Sequence, residues 1–467
     1  MNLVIGAGVG GLATAIALVR AGERATILEG RATAGGLASG VTLEGQLHDG
    51  GPYILLDRPG LDWAFRQLGA NLDGLIDLIR LDGEVYRVRF PDGDHVSIYD
   101  DLDRTADAFD ARQRGAGDAY RRWVGDMVSI YEGLAPLQRI ARPGPLKLLR
   151  RGLVREGLFL LQGLETHLAA SGLPPRVRDA LGIWTHIAGQ PLSRAPAPLA
   201  FVPAVIHTHG AWLPRGGMHN VVAALETLAR AVGVRMELGT RVDRIVRDGR
   251  HVLGVEVGHE RIDAARVFSN APGIATYVDL LRPPDPTLSV TLKQLPLQSP
   301  GVAAWLDMDV APSTPFLQFF LPDGGPHPWT RALVNPGAYD PARRTQGRLV
   351  CPTPWSWAEA AGPDAQRAFL DTLLDEPWWR DTVRSARVLQ TRIPAEWGRQ
   401  YLLYRDSMNP VMTAEFMRKG RLAHRSPIAD NLFLAGSSTQ PGQWVSFCTI
   451  SGVLAAGEAL TPRPPLP

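Results

Sequence analysis

The sequence predicts an α/β fold, and its N-terminal segment contains the observations that support this class. Asn2 to Ile5 is a short apolar run of the kind that forms a buried parallel strand. A glycine-rich turn and the helical pattern Leu12 to Leu18 follow it directly. A second apolar run, Ala25 to Leu28, ends at the acidic residue Glu29. The order strand, glycine turn, helix and strand predicts a parallel β-α-β unit.

The glycine turn has the spacing G-x-G-x-x-G, with Gly6, Gly8 and Gly11 at its three positions and Gly10 beside them. In such units the first glycine permits the tight turn, the second lets the backbone approach a pyrophosphate, and the third brings the helix close to the strand. The helix N-terminus attracts the phosphates, and an acid at the position of Glu29 accepts hydrogen bonds from the ribose. The sequence therefore predicts a Rossmann-type dinucleotide site, and Glu29 disfavours the 2′-phosphate of NADP.

Composition narrows the possible classes of protein. The 467 residues are 45% hydrophobic and 21% charged, which is enough to bury a large core in about three domain-sized units. The formal net charge of +2 shows no basic excess, so we expect no nucleic-acid partner. The two cysteines, Cys351 and Cys448, cannot form a disulfide framework or a zinc site, and we expect reduced thiols, a cytoplasmic location and no metal. Leu3 to Ala21 has no basic n-region and contains four glycines, so it predicts a strand, turn and helix rather than a signal peptide.

Two glycine-rich turns follow the second strand. Arg31 leads to Gly35-Gly36, and the run Asp49-Gly50-Gly51-Pro52 forms the next turn. This arrangement resembles the flavin-containing amine oxidase superfamily, and within it the phytoene desaturase and carotenoid isomerase branch. In that branch an acid, a short spacer and two glycines come before an Asp-x-Gly-Pro-like turn, which lies beneath the flavin. The resemblance implies FAD as the cofactor, with Arg31, Gly35, Gly36, Gly51 and Pro52 at its site.

Later blocks extend the resemblance. Trp212-Leu213-Pro214-Arg215-Gly216-Gly217 matches a family signature, and the valine that packs on the adenine in the family corresponds to Val242. An apolar strand ends at Gly436, and a loop then leads to a helix that starts near Val445. The resemblance implies that Gly436, Gln443 and Val445 contact the flavin, where a helix N-terminus stabilises the negative charge of the reduced ring.

This chain departs from the family pattern at the closing loop. Ser437 stands where amine oxidases generally have an acid. Trp444 stands where the desaturase loop has glycine, and Phe447 stands near positions that are usually small. The sequence leaves two interpretations open for these aromatic residues: they line a narrowed substrate tunnel, or they pack between domains.

The resemblance also implies a discontinuous architecture, shared by amine oxidases and GDP-dissociation inhibitors. Segments 1–105, 206–281 and 421–460 would form the FAD-binding domain, segments 106–205 and 282–420 a mixed α+β substrate domain, and 461–467 a tail. Leucines recur at helical spacing from Leu146 to Leu168, with Lys147, Arg150, Arg151 and Arg155 interleaved. This pattern predicts a basic amphipathic helix that serves either as a lid or as a peripheral contact with the inner face of an anionic membrane.

These observations predict an FAD-dependent oxidoreductase that transfers a hydride between a carbon of an apolar substrate and the flavin. The resemblance favours desaturation of a carotenoid, a terpenoid or a similar compound, with oxygen or a quinone as the electron acceptor. The sequence points to no catalytic residue, in keeping with chemistry that depends on positioning and water exclusion. A flavin-dependent amine oxidase and a double-bond isomerase or saturase stay open as alternatives. A lipid-escort protein of the GDP-dissociation-inhibitor type, which uses no flavin, is the non-enzymatic alternative.

Overall fold

In the computed structural model, of which residues 1–461 are described, the twenty strands of these residues form three large sheets and two short pairs. In chain order these strands are β1 (Asn2–Ile5), β2 (Ala25–Glu29), β3 (Gly40–Leu43), β4 (Gln46–Asp49), β5 (Leu78–Arg80), β6 (Glu84–Arg89), β7 (His95–Tyr99), β8 (Trp212–Pro214), β9 (Arg235–Leu238), β10 (Arg244–Asp248), β11 (His251–Val257), β12 (Glu260–Asp263), β13 (Arg266–Ser269), β14 (Leu281–Arg282), β15 (Val302–Val310), β16 (Leu317–Phe320), β17 (Arg331–Val334), β18 (Gln346–Cys351), β19 (Val383–Arg392) and β20 (Leu432–Leu434). Of the predicted tail 461–467, only Thr461 lies within the described residues.

The α-helices of the same residues are numbered in the same way. They are α1 (Val9–Arg20), α2 (Arg58–Gln67), α3 (Leu102–Arg112), α4 (Ala116–Leu134), α5 (Pro145–Arg150), α6 (Val154–Leu160), α7 (Leu164–Ala169), α8 (Pro175–Gly182), α9 (Phe201–His209), α10 (His219–Ala231), α11 (Gly273–Ala275), α12 (Pro286–Lys293), α13 (Trp355–Asp375), α14 (Pro377–Arg380), α15 (Pro394–Tyr401), α16 (Ala414–Lys419) and α17 (Val445–Leu460). Helix α13 is kinked at Gly362 (φ 69°), directly before Pro363.

A parallel five-stranded sheet contains the N-terminal β-α-β unit. Its strand order is β20-β13-β1-β2-β9, so its strands come from three distant parts of the chain. Strand β1 is buried along its whole length, as expected for a parallel sheet covered on both faces. The sheet confirms the predicted α/β class and its discontinuous Rossmann-type unit.

Helix α17 closes this unit by packing on α1, although the two helices lie at opposite ends of the sequence. Gly452 makes the approach possible, because a Cβ there would collide with the carbonyl oxygen of Gly10. The Thr14 hydroxyl lies 2.8 Å from the Gly10 carbonyl oxygen and 3.2 Å from that of Gly452, which fastens the two helices together. The closing loop before α17 is thereby held beside the N-terminal glycine turn.

A seven-stranded sheet, in the order β19-β15-β18-β17-β16-β6-β7, forms the second layer of the molecule. Strand β6 pairs in parallel with β16, which joins residues near position 86 to residues near position 318. Helices α3 to α9 share an apolar core with this sheet, in which Tyr86, Tyr120 and Phe319 are fully buried. The predicted cofactor segment 1–105 contains β6 and β7, so we propose that this segment ends before β6 and that the substrate domain begins there.

The region predicted as one basic amphipathic helix is divided into three short helices, α5, α6 and α7. Gly152, with φ 71°, separates α5 from α6. Leu164 and Leu168 are buried in the core of the second layer, so these two leucines do not belong to an exposed face. The single-helix prediction was therefore wrong. Within residues 1–461, every helix is either too short or too polar to cross a bilayer.

Candidate functional site

A cavity of about 510 Å³ lies between the carboxyl ends of the parallel strands and the seven-stranded sheet. Ile5 and Glu29 line it from the ends of β1 and β2, while Ala303 and Val350 line it from β15 and β18. The carboxyl edge of a parallel sheet is where α/β proteins bind ligands. Most residues that the sequence predicts for the cofactor site line this cavity, namely Gly6, Gly8, Gly10, Glu29, Arg31, Gly35, Gly36, Gly51, Pro52, Val242, Gly436, Gln443 and Val445.

Three glycines, Gly8, Gly10 and Gly436, leave space for the side-chain carboxamide of Asn270. We call these four residues the cofactor cradle. A Cβ at Gly8 would lie 2.5 Å from Asn270 Nδ2, and one at Gly10 would lie 2.6 Å from Asn270 Oδ1. Gly436 has φ 91°, and its Cβ would lie 2.5 Å from the same Oδ1. Asn270 was absent from the predicted site residues. The only sequence signal for it is its position directly after β13, in the run Ser269-Asn270-Ala271.

The cradle has the features that a dinucleotide pyrophosphate requires. Helix α1 begins directly after Gly8, and among the described residues no side chain caps its N-terminus, so the first-turn amides can donate to a phosphate. Glu29 lies beside this turn, where its Oε2 accepts a hydrogen bond from the Ala7 amide at 2.7 Å and its Oε1 from the Arg31 amide at 2.9 Å. Gly11 lies outside the cavity lining, because its Cβ position faces the Gly6 carbonyl oxygen.

The turn at Gly35-Gly36 is bound to the first glycine turn. The Gly35 amide donates to the Ala7 carbonyl at 2.8 Å, and Gly35 has φ 114°. Arg31 donates to the Gly36 carbonyl at 3.2 Å, and its guanidinium lies 4.4 Å from the centre of the Tyr401 ring. The segment 31–36 is thus a rigid wall of the cavity.

Asp49, from the turn that the resemblance places beneath the flavin, connects distant segments instead of lining the cavity. Its carboxylate accepts hydrogen bonds from the Met218 amide at 2.6 Å and from Arg343 Nη2 at 2.8 Å. Burial opposes ionisation of Asp49, but His219, Arg343 and Arg348 together hold its pKa below the ordinary value.

Side chains of the seven-stranded sheet donate hydrogen bonds to the turn that begins at Asp49. The Arg348 guanidinium donates to the Asp49 carbonyl at 2.9 Å and to the Gly51 carbonyl at 2.5 Å. Trp305 Nε1 donates to the same Asp49 carbonyl at 2.9 Å. Gly51 and Pro52 line the cavity, so the seven-stranded sheet positions this turn through β15 and β18.

The closing loop presents one aromatic residue to the cavity. Trp444 lines it, while Phe447 lies outside the lining and stacks on the Trp444 ring with a centroid distance of 4.9 Å and an interplanar angle of 12°. Helix α17 begins at Val445, and among residues 1–461 no side chain caps its N-terminus. The amides of its first turn are therefore free of a side-chain cap, and Val445 and Ser446 line the cavity beside Trp444. Of the two aromatic residues, Trp444 is positioned to contact a ligand and Phe447 supports it from behind.

The far end of the cavity, which we call the substrate chamber, is mainly apolar. Its apolar lining includes Ile54, Leu56, Trp184, Ile187, Val202, Ala303, Val350 and Met408. Polar residues line it as well, among them the half-buried Tyr53 and the buried His186, Gln298 and Asp57. Burial lowers the pKa of His186 to about 3, so this imidazole is neutral, and burial raises the pKa of Asp57 to about 6. Nothing in the local sequence of these polar residues distinguishes them from core positions, so they are missing from the predicted site.

A cavity with a backbone-lined cradle at one end and a mainly apolar chamber at the other suits an enzyme with a bound dinucleotide. The sequence profile of the family described as flavin containing amine oxidoreductase matches residues 9–359, so this chain belongs to that family. The protein is accordingly a flavin-dependent oxidoreductase, as the sequence predicted.

Several relatives are similar in sequence. Hydroxyneurosporene desaturase of Rhodobacter capsulatus is 33% identical over 65% of this chain, and the matched region spans 62% of that relative, less than two thirds of its length. Phytoene dehydrogenase of Streptomyces griseus is 27% identical over 99% of this chain and 95% of its own length. The zeta-carotene-forming phytoene desaturase of Myxococcus xanthus is 26% identical over 98% and 93%. These matches confirm the resemblance to the phytoene desaturase branch.

Solved structures show the same fold. An oxidoreductase from Methanosarcina mazei superposes with a TM-score of 0.66 at 16% identity, covering 98% of this chain and 99% of that one. Putrescine oxidase superposes with a TM-score of 0.66 at 17% identity, covering 98% of both chains. At these identities the likeness concerns the fold alone.

Proposed function

We propose that this protein is an FAD-dependent desaturase of a carotenoid or a similar polyene. The observation that carries the proposal is the continuity of one cavity from the cofactor cradle to the substrate chamber. The relatives named above are desaturases and a dehydrogenase of such compounds. An intact dinucleotide cradle argues against a lipid-escort protein, which has no use for it.

When bound, FAD would supply the acceptor for a hydride from one substrate carbon, and the neighbouring carbon would lose a proton to solvent as the double bond forms. We propose that the first-turn amides after Gly8 hold its pyrophosphate, that Glu29 accepts from its ribose, and that Val242 packs on its adenine. Gly436, Gln443 and Val445 would lie along the flavin ring, and the N-terminus of α17 would face its negative charge.

The remaining cavity residues act on the substrate by position and by exclusion of water. The apolar walls of the substrate chamber would hold a polyene with its reacting carbons toward the closing loop, and Trp444 would narrow the passage. Oxygen or a quinone would be the electron acceptor in the proposed reaction. An amine oxidase uses the same fold, but the sequence relatives act on polyenes by name.

We also propose a peripheral membrane contact, through what we call the α5–α6 surface. Its large apolar side chains are between 53% and 62% exposed, and they are Leu146, Leu149, Val154, Leu158 and Leu161. Lys147, Arg150, Arg151 and Arg155 lie on or beside the same two helices. Exposed leucines with flanking cations match the interfacial region of an anionic bilayer, where apolar polyenes dissolve. A cytoplasmic protein that works on the inner face of a membrane fits this surface.

The visible spectrum of the purified protein tests the proposal first. Oxidised flavin absorbs near roughly 375 and 450 nm, and mass spectrometry of the chromophore released by heat would identify it as FAD. Anaerobic addition of a polyene should then bleach the 450 nm band and yield a product with one more double bond. A colourless protein that does not take up FAD would overturn the proposal. A product of unchanged mass would favour the isomerase alternative, and a more reduced product the saturase.

A further inference from the structure

The substrate chamber contains a small polar group that an apolar hydrocarbon does not need. Tyr53, His186 and Gln298, which we call the Gln298 cluster, come from three separate segments and all line the chamber. The Tyr53 hydroxyl lies 3.0 Å from His186 Nε2, and the amide nitrogen of Gln298 lies 2.6 Å from the carbonyl oxygen of Ile187, the residue after His186. Polar groups buried in a chamber wall cost stability unless they are paired, so their presence requires an explanation.

Each donor atom of this cluster has a hydrogen-bond partner. His186 Nδ1 lies 3.0 Å from the Ile183 carbonyl oxygen, which makes Nδ1 the protonated nitrogen and Nε2 the acceptor of the Tyr53 hydroxyl hydrogen. Gln298 Nε2 donates to the Ile187 carbonyl, and this contact determines the orientation of the carboxamide, since an oxygen placed there would face another oxygen.

The acceptors of the cluster are available. Gln298 is 2% exposed, and its Oε1 has no hydrogen-bond partner among residues 1–461. The backbone of Gln298 is held on both sides, because its amide donates to the Asn409 carbonyl at 2.8 Å and its carbonyl accepts from the Met408 amide at 2.9 Å. The side chain is held by its own contact, because turning Oε1 toward another partner would break the hydrogen bond from Nε2 to the Ile187 carbonyl. The cluster thus offers a fixed acceptor to any ligand group that carries a donor.

The charge around the cluster distinguishes the possible donors. The Arg348 guanidinium lies 5.4 Å from the centre of the Tyr53 ring and is buried in the same wall. This buried guanidinium, the charged group that lies against Tyr53, opposes a cationic amine there and has no such effect on a neutral hydroxyl, while the Asp57 carboxyl is a second ionisable group of the same chamber. The chemistry of the cluster therefore matches an O–H group on an otherwise apolar molecule.

We propose that the Gln298 cluster binds a hydroxyl group of the substrate, and that the protein acts on a polyene that carries a hydroxyl. This inference rests on the proposed function and specifies its substrate class. The hydroxyl would donate to Gln298 Oε1, while the Tyr53 oxygen, which has a lone pair free of the His186 contact, would lie beside it as a second acceptor. Gln298 would then act as a specificity-determining residue and take no part in hydride transfer.

Equilibrium binding of two matched polyenes, neurosporene and hydroxyneurosporene, tests this proposal. Quenching of tryptophan fluorescence in the flavin-loaded protein reports binding, because Trp184 lines the chamber beside His186. We expect the hydroxylated polyene to bind about three- to tenfold more tightly, which is the usual net effect of one neutral hydrogen bond. In Gln298→Met this preference should disappear, while affinity for the hydrocarbon changes by less than about twofold.

Gln318 supplies a matched control. It is also a buried glutamine, 1% exposed, and neither of its amide atoms has a partner in the described part of the chain, but it lies outside the cavity lining. Gln318→Met should keep the full preference for the hydroxylated polyene. Tyr53→Phe keeps the ring and should also weaken the preference. This second variant keeps the proposal testable if Gln298→Met does not fold.

The outcomes separate the two proposals. Equal binding of both polyenes by the unaltered protein, or an unchanged preference in both Gln298→Met and Tyr53→Phe, would overturn the hydroxyl site and leave the desaturase proposal intact. A flavin-loaded protein that binds neither polyene would overturn both. Displacement of hydroxyneurosporene by a long-chain primary amine at equal concentration would overturn hydroxyl recognition in favour of an amine.

Discussion

The cofactor cradle and the substrate chamber occupy one cavity, but they recognise ligands by different means. In the cradle the ligand meets backbone and glycine Cα atoms, and Gly8, Gly10 and Gly436 have no room for a Cβ. In the chamber the ligand meets side chains, most of them apolar and a few of them polar and buried. A site formed by backbone atoms loses its ligand when a side-chain atom is added to it, whereas the side chains of an apolar wall can be substituted one at a time. We therefore expect substitutions to act all-or-none in the cradle and in graded steps in the chamber.

Gly10→Val should have the largest effect, because its Cβ would lie 2.8 Å from the Gly436 backbone, which cannot move aside as a flexible side chain can. We expect FAD affinity to fall by at least about 1000-fold, so that the purified variant is colourless. Titration with FAD, followed by flavin fluorescence, measures the loss. Gly125→Ala, in α4, is the matched control, because its Cβ would meet nothing within 4 Å; it should keep FAD and gain roughly 0.5–1 kcal/mol of stability. A yellow Gly10→Val protein would contradict the backbone-recognition account.

Asp57→Asn should change stability on the chamber side in a pH-dependent way. Burial raises the pKa of Asp57 to about 6, while an unfolded aspartate titrates near roughly 3.9. The folded protein therefore loses stability as pH rises from about 4 to about 6, because the buried carboxyl must ionise. Asparagine removes this cost and still accepts from the Gly60 amide as an N-cap, so the variant should be about 3 kcal/mol more stable at pH 8 and no more stable than the parent at pH 4.

Urea unfolding at pH 4 and pH 8 measures this difference. Asp101→Asn is the matched control, because Asp101 caps α3 in the same way but is exposed. It should change stability by less than about 1 kcal/mol. A stability gain for Asp57→Asn that is equal at both pH values would contradict the assignment of a raised pKa.

The double substitution Leu149→Glu with Leu158→Glu tests the outer surface of the substrate domain. Both leucines are about 60% exposed, so the fold should not change. We expect binding to vesicles that contain anionic lipid to fall by about 30-fold, through lost apolar insertion and added negative charge. Co-sedimentation with the vesicles measures it, and Val290→Glu, at a residue 58% exposed on α12, is the control that should bind normally. Equal binding by the unaltered protein, the double variant and Val290→Glu would show that the α5–α6 surface does not bind the membrane.

Asn270→Asp should have the smallest effect of the four, because it keeps the shape of the carboxamide that fills the cradle. The added negative charge would lie beside the proposed pyrophosphate site, and we expect FAD affinity to fall by about tenfold. High salt should reduce the loss of FAD affinity without abolishing it, because salt screens charge repulsion less strongly inside a cavity than at an exposed surface. Isothermal titration at two salt concentrations measures both effects. Unchanged affinity would indicate that the phosphates bind away from Asn270.

Much of the cradle could be predicted from sequence because its parts are local. Gly6, Gly8 and Glu29 belong to one β-α-β unit, in which the spacing of residues along the chain already determines their positions in space. The completion of the cradle is not local: Asn270 and Gly436 arrive from strands hundreds of residues away, and their meeting depends on the strand order of the parallel sheet. Asp49 shows the same limit, since its turn could be predicted as a motif but its hydrogen bonds to Met218 and Arg343 follow from packing between distant segments.

By itself, the sequence determined the α/β class, the dinucleotide turn with its acid, and the family to which the chain belongs, because each depends on the spacing of residues that lie close together in the sequence. Tertiary structure alone decided that β6 and β7 join the substrate-side sheet, that Leu164 and Leu168 are buried while Leu149 and Leu158 are exposed, and that Trp444 rather than Phe447 faces the cavity. It also brought Tyr53, His186 and Gln298 to one wall. Burial and pairing are properties of the packed chain, and a side chain acquires its neighbours, its pKa and its accessible face only when distant segments come together.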